Sequence, residues 1–183
     1  MLNDQHRQTL KSVALDSVQH GLTQHTPLIV DLADAAPELT ACKASFVTLK
    51  INNNLRGCIG TLEAHRPLIE DVAYNAYAAA FKDPRFPASS EKELSQLQYH
   101  ISILSTPQAM KIENEDDLYT QLRPGQDGII LLDGHYRSTF LPSVWESLTS
   151  PQSFIQQLKL KAGLDAHYWS EGIHFERYEV EEF

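Results

Sequence analysis

Cysteine is scarce in this chain: Cys42 and Cys58 are the only two among 183 residues. They form no CxxC pair and no zinc framework, both of which need closely spaced thiols. Long apolar runs are missing as well. A membrane-spanning helix needs about 18 or more consecutive apolar residues, and no such stretch occurs. Positive charge is short: 15 Lys and Arg against 24 Asp and Glu leave a net charge of −9. A general phosphate-backbone binder needs a basic face, so nucleic acid is not an expected partner; a local basic cleft is still compatible with an acidic protein. There is no internal repeat and no low-complexity tract. HExxH, EF-hand, P-loop and GxGxxG patterns are absent, and His65, His100, His135, His167 and His174 are scattered. The expectation is therefore no metal and no cofactor. The polar start, Met1-Leu2-Asn3-Asp4-Gln5-His6, has no apolar signal-peptide core. A cytoplasmic protein with reduced thiols is expected, a Cys42–Cys58 disulfide being the alternative.

What is present is ordinary for a globular protein: 42% apolar and 21% charged residues. The length suits a single domain over residues 1–183, with two closely packed subdomains as the other arrangement. Asn3 or Asp4 can cap a first helix that Gly21 ends, with Leu10, Val13, Ala14, Ser17 and Val18 on one face. A connector over 22–37 holds Leu28-Ile29-Val30, a short strand or a buried anchor. Residues 37–43 read as irregular. Residues 44–51 alternate as a strand, Asn52-Asn53-Asn54 is a turn signal, and residues 56–61 return as a hairpin. Pro67 opens an alanine-rich helix that Asp83-Pro84 ends. Strands are expected over 99–104, 128–132, 135–140 and 173–180. An acidic helix spans residues 114–122, Asp133-Gly134 is a hairpin turn, Val144-Trp145 opens a short helix, and Ser150-Pro151 starts a last helix that Gly163 stops. Hairpins outnumber strand–helix–strand units, which predicts an α+β fold with mainly antiparallel sheet and flanking helices.

The stretch of most chemical interest is Arg56-Gly57-Cys58-Ile59-Gly60-Thr61. Glycines in a strand mark a bulge or a close approach of another group. Strand alternation sets Arg56, Cys58 and Gly60 on one side and Leu55, Ile59 and Thr61 on the other. A guanidinium beside a thiol favours the thiolate. Cys58 then reads as a nucleophile or redox thiol aided by Arg56 and by Arg85, or as a small buried residue. No local histidine accompanies it as a base, His65 standing seven residues on. Arg56 and Arg85 suit a carboxylate or phosphate clamp, or a structural salt bridge. Phe86 and Trp145 suit stacking on a flat ligand, or core packing. Thr139, where a hairpin meets a helix, suits a ligand contact or a helix cap.

Several stretches together resemble the AMMECR family, whose prokaryotic members are called AmmeMemoRadiSam system protein A. They are Ser45-Phe46-Val47-Thr48-Leu49, Leu55-Arg56-Gly57-Cys58-Ile59-Gly60-Thr61-Leu62-Glu63 and Ala78-Ala79-Ala80-Phe81-Lys82-Asp83-Pro84-Arg85-Phe86-Pro87. Leu122-Arg123-Pro124-Gly125 with Asp127-Gly128, Thr139-Phe140-Leu141-Pro142 with Val144-Trp145-Glu146, and Lys161-Ala162-Gly163-Leu164 follow in family order. The resemblance implies a larger part holding both termini and a smaller part, with a cleft between them lined by these motifs. It implies Memo-like and radical SAM proteins as partners, and no particular reaction. Leu160 stands where relatives often carry cysteine, so a paired-cysteine mechanism through it is not expected. His100 stands where relatives more often carry an acidic or apolar residue, and no family catalytic role attaches to it. The leading reading is a cleft at Arg56, Cys58, Arg85 and Thr139 that binds a small anionic or protein-borne group. A non-catalytic scaffold is the alternative, and an RNA-associated regulator is a third reading.

Overall fold

The computed structural model describes residues 2–183. The fold is α+β, with two four-stranded sheets. The described residues divide into two compact units: unit 1 holds residues 2–104 and 181–183, and unit 2 holds 105–180.

Unit 1 opens with helix α1 (Asp4–Gln24), capped by the Asn3 side chain, which accepts from the His6 N–H. The helix runs through Gly21 and ends at His25 in a left-handed conformation. Gly21 is not the stop that its sequence position suggests. A Cβ there would come within 2.6 Å of the Tyr77 and Phe81 rings, so the glycine serves close helix packing. Leu28-Ile29-Val30 forms no strand; Val30 packs on the core and Ile29 is exposed. The residues expected to be irregular include a single helical turn, α2 (Pro37–Thr40).

Strands β1 (Ser45–Ile51) and β2 (Asn54–Gly60) form an antiparallel hairpin. Asn52 and Asn53 both take positive φ, as a two-residue type I′ turn requires. Helix α3 (Leu68–Phe81) follows Pro67, which caps it rather than starting it. Its small buried residues, including Ala76, Ala79 and Ala80, bring its backbone close to the hairpin. A Cβ on Gly57 would meet the Ala79 carbonyl at 2.1 Å. Asp71, placed by sequence in the first turn of this helix, is buried. Its Oδ2 accepts from the Ser45 N–H, the Ser45 hydroxyl and the Asn75 amide. Burial raises its carboxyl above the usual range against these bonds and the Arg66 charge. A second helical turn, α4 (Glu91–Leu94), carries a Ser90/Glu93 capping box. Strand β3 (Gln98–Leu104) pairs antiparallel with β1. Val47, Leu49, Ile101 and Ile103 line the sheet's inner face with the apolar stripes of α1 and α3.

Unit 2 adds strand β4 (Gln108–Ala109), helix α5 (Glu115–Gln121), strand β5 (Gly128–Asp133) and strand β6 (Tyr136–Phe140). The hairpin turn falls one residue later than sequence suggests, on Gly134-His135, and Gly134 takes the positive φ. A 3₁₀ turn (Pro142–Glu146) and helix α6 (Pro151–Lys161) come next, α6 being capped by Ser150. Strand β7 (His174–Tyr178) completes the β4-β7-β5-β6 sheet. The single final strand expected over 173–180 is in fact two. After Glu179 the chain enters β8 (Val180–Glu182), at the edge of the β2-β1-β3-β8 sheet. There Ile101 and Phe183 exchange both backbone hydrogen bonds, at 3.0 and 3.1 Å.

Candidate functional site

In unit 1, β2 is an edge strand, so one side of its backbone lacks a strand partner. The loop after α3 fills that role at Cys58. The Cys58 N–H donates to Asp83 Oδ2 at 2.9 Å, and Arg85 Nη2 donates to the Cys58 carbonyl at 3.2 Å. Asp83 and Arg85 are in turn joined by Nε–Oδ1 and Nη2–Oδ2 bonds of 3.0 and 2.7 Å, a two-pronged pair. The Arg85 N–H also donates to Oδ1 at 3.1 Å. Arg85 and these N–H donors hold the buried Asp83 carboxyl well below the usual carboxylate range. The Arg85 side chain itself is 54% exposed.

Arg56 is the extra residue of a β-bulge: Leu49 pairs with Gly57, whereas Lys50 pairs with Leu55. A bulge re-aims a side chain, so plain alternation does not carry through 55–57. The Arg56 guanidinium grips Glu93 (Nε–Oε1 2.7 Å) and donates to the Pro87 carbonyl at 2.9 Å. Arg56, first, and the Ser90 N–H bring the Glu93 carboxyl down to about 2. The Arg56 side chain is 11% exposed. Phe86 lies between the two cations, its ring centroid 5.9 Å from the Arg56 guanidinium carbon and 5.6 Å from that of Arg85. The structure thus gathers Arg56, Cys58, Arg85 and Phe86 in one place, with each guanidinium already holding a carboxylate of this chain.

The Cys58 side chain is partly buried. Because its backbone groups point outward, Cys58 and Thr48 form the close, non-hydrogen-bonded kind of cross-strand pair. Their side chains meet, with Sγ to Oγ1 at 3.1 Å. Cys42 and Cys58 are both free thiols. Among the described residues, no three His, Cys, Asp or Glu side chains converge as a metal site would require.

Thr139 and Trp145 belong to unit 2. Thr139 Oγ1 shares a hydrogen bond with the Tyr178 hydroxyl at 3.0 Å, and its carbonyl accepts from Lys161 Nζ at 2.9 Å. The buried Trp145 ring stacks on Phe154 at 3.9 Å, and its N–H donates to the Asp127 carbonyl. The Leu122–Gly128 motif forms a charge knot. Asp127 is fully buried and accepts from the Arg123 backbone N–H, Nε and Nη2, while Arg177 approaches to 3.1 Å. Sequence reading missed Asp83, Glu93 and Asp127. The motifs contain or adjoin these acids: Asp83 and Asp127 have their arginine two and four residues away, a local signal, whereas Glu93 meets Arg56 across 37 residues.

A family model described as AMMECR1 matches residues 11–183. Protein MJ0810 of Methanocaldococcus jannaschii is 36% identical over 149 residues, covering 77% of this chain and 72% of that protein. A protein of Sulfurisphaera tokodaii is 38% identical over 120 residues, or 64% of this chain, which spans 52% of that protein's length. The crystal structure of the uncharacterized protein PH0010 from Pyrococcus horikoshii superposes with a TM-score of 0.84. It is 28% identical, over 99% of this chain and 92% of that one.

Proposed function

This chain belongs to the AMMECR1 family, and from that premise we propose that it is a cytoplasmic binding protein. The Cys58 edge of β2, with Arg85 and Phe86 beside it, takes a small anionic or protein-borne group, and the partners served are Memo-like and radical SAM proteins. One observation carries the reading. Arg85 spends Nε and Nη2 on Asp83 and the Cys58 carbonyl, yet more than half of its side chain stays open to solvent. A guanidinium oriented in this way by its own carboxylate has little rotamer freedom left to lose, and it still presents a charged face beside a partly exposed ring. Arg56 plays a different part: its pairing with Glu93 and Pro87 holds the 82–90 loop against β2.

A scaffold without catalysis is the second reading. It is favoured by the Cys58 sulfur meeting a threonine hydroxyl, a group that is no base at neutral pH. Binding of purified Memo-like and radical SAM proteins to the immobilised full chain tests the proposal. Arg85→Gln and Phe86→Ala should each weaken capture at least about tenfold, the loss of one charge-assisted contact. Lys111→Ala, an exposed lysine of unit 2 outside the proposed site, should not. Equal capture by all four proteins overturns the assignment of the site. Undiminished capture with Cys58→Ser, alongside loss with Arg85→Gln, favours the scaffold.

A further inference from the structure

The register of the first sheet sets three chemically active side chains in one row. Thr48 on β1 pairs with Cys58 on β2 and, across its other side, with His100 on β3. Residues directly opposite in an antiparallel sheet present their side chains to the same face. The neighbours Val47, Leu49 and Ile101 fill the core, so Thr48, Cys58 and His100 share the face turned away from it. Thr48 Oγ1 is 3.1 Å from Cys58 Sγ, and a hydroxyl both accepts and donates. His100 is exposed and stands directly across from Thr48 in the register. We propose that this row is a thiol site, with Thr48 relaying a proton between Cys58 and His100. This goes beyond the binding reading and does not depend on it.

The substrate class is a soft carbon electrophile carrying an anionic group. The chemistry balances within the row. As the Cys58 sulfur bonds to the electrophilic carbon, its proton passes to Thr48 Oγ1. The hydroxyl proton of Thr48 passes to the His100 ring, and the leaving group departs with the bonding electron pair. The charged groups around His100 are Lys50, Lys11 and Glu182. Partial desolvation of the ring against the sheet first, then the two lysines, hold the imidazole below its ordinary value against Glu182. The ring is therefore neutral near pH 7 and free to accept a proton. Lys50, next to the row on the same face of β1, supplies a charge for an anionic electrophile. Phe46, whose ring lies over Gly60, walls the other end.

The test is the alkylation rate of Cys58 by iodoacetamide, measured between pH 5 and 9.5 (approximate limits that bracket imidazole and thiol titration) on the full chain carrying Cys42→Ala. The expected profile has its midpoint at least about one unit below the reference thiol value of about 8.5. His100→Gln and Thr48→Val should each move it back toward that value and slow the reaction at pH 7 about tenfold, one pH unit of thiolate fraction. Thr48→Ser, which keeps the hydroxyl, should retain the parent profile. Thermal unfolding of each variant shows whether the fold is kept, and His100, being exposed, can be replaced without loss of packing. Identical profiles in the parent and His100→Gln overturn the proposal. So does a Cys58 that reacts only after denaturation. Either result leaves the Arg85 and Phe86 binding reading to stand or fall on its own capture experiment.

Discussion

Asp83 hydrogen-bonds Cys58 where a neighbouring strand would otherwise do so. Its Oδ2 takes the Cys58 N–H at 2.9 Å, while Arg85, held by the same carboxylate, donates to the Cys58 carbonyl. A side-chain ion pair therefore closes the edge of the sheet at the cysteine. Asp83→Ala removes four accepted bonds and leaves the Cys58 N–H unpaired, but the guanidinium it leaves behind is exposed and keeps the Cys58 carbonyl. Arg85→Gln instead strands the buried Asp83 carboxylate without its cation, and breaking a buried pair in that direction costs about 3 kcal/mol or more. Urea unfolding should show the larger loss for Arg85→Gln and about 1–3 kcal/mol for Asp83→Ala. No loss in either variant would mean that the ion pair does not close the edge.

Acid stability follows from the depressed carboxyls. The ordinary Glu93 value is 4.5, and in the fold it is about 2; Asp83 is lowered further in the same sense. A folded value below the unfolded one means that the unfolded chain binds protons first as pH falls. Their stabilisation is complete above about pH 5 and is lost as pH falls through 4.5 toward 2. Asp71, raised in the fold, acts in the opposite sense, favouring the folded state below its folded value. Unfolding free energies at pH 7 and pH 3 should differ less in Glu93→Gln than in the parent. An unchanged pH slope would show that the Arg56 pair contributes nothing.

Two buried glycines should respond differently to alanine. At Gly57 the added methyl meets a backbone carbonyl at 2.1 Å, which cannot yield without moving α3. At Gly21 it meets the rim of two aromatic rings at 2.6 Å, which can rotate. Gly57→Ala is expected to cost about 3 kcal/mol or more, and Gly21→Ala about 1–2. Melting temperatures ranked the other way would sink this account of the α3–hairpin contact.

In unit 2, Lys159 is fully buried on α6, with Glu115 at 2.5 Å and the Trp169 ring at 5.4 Å. Glu115 keeps partial access to solvent, with a side chain 31% exposed. Removing the two partners should therefore be unequal. Glu115→Ala strands a buried ammonium and should cost about 3–5 kcal/mol, whereas Lys159→Met, which fills the same space, should cost under about 2. Denaturant titration of both variants decides the point, and equal costs would contradict it.

Much of this protein is determined by local chemistry alone. The asparagine pair sets a hairpin because two successive residues must take positive φ. Ser150 and Asn114 cap helices because their side chains reach N–H groups three residues on. Strand alternation in β1 and β3 sorts core from surface, since successive side chains point to opposite faces. The motif stretches identify the family. What only tertiary structure decided is partnership. The bulge at Arg56 cancels the alternation expected through 55–57, and it depends on pairing with β1. Gly21 lies inside its helix because of rings that come more than fifty residues later. Residues 173–182 split between two sheets because hydrogen bonding to β5 and then to β3 is available only after folding. Glu93 meets Arg56 across 37 residues, and Asp83, paired locally with Arg85, reaches the Cys58 N–H 25 residues away only once the hairpin and the loop after α3 are in place. His100 stands in line with Cys58 for the same reason: register across strands is a property of pairing, and no spacing in the chain encodes it.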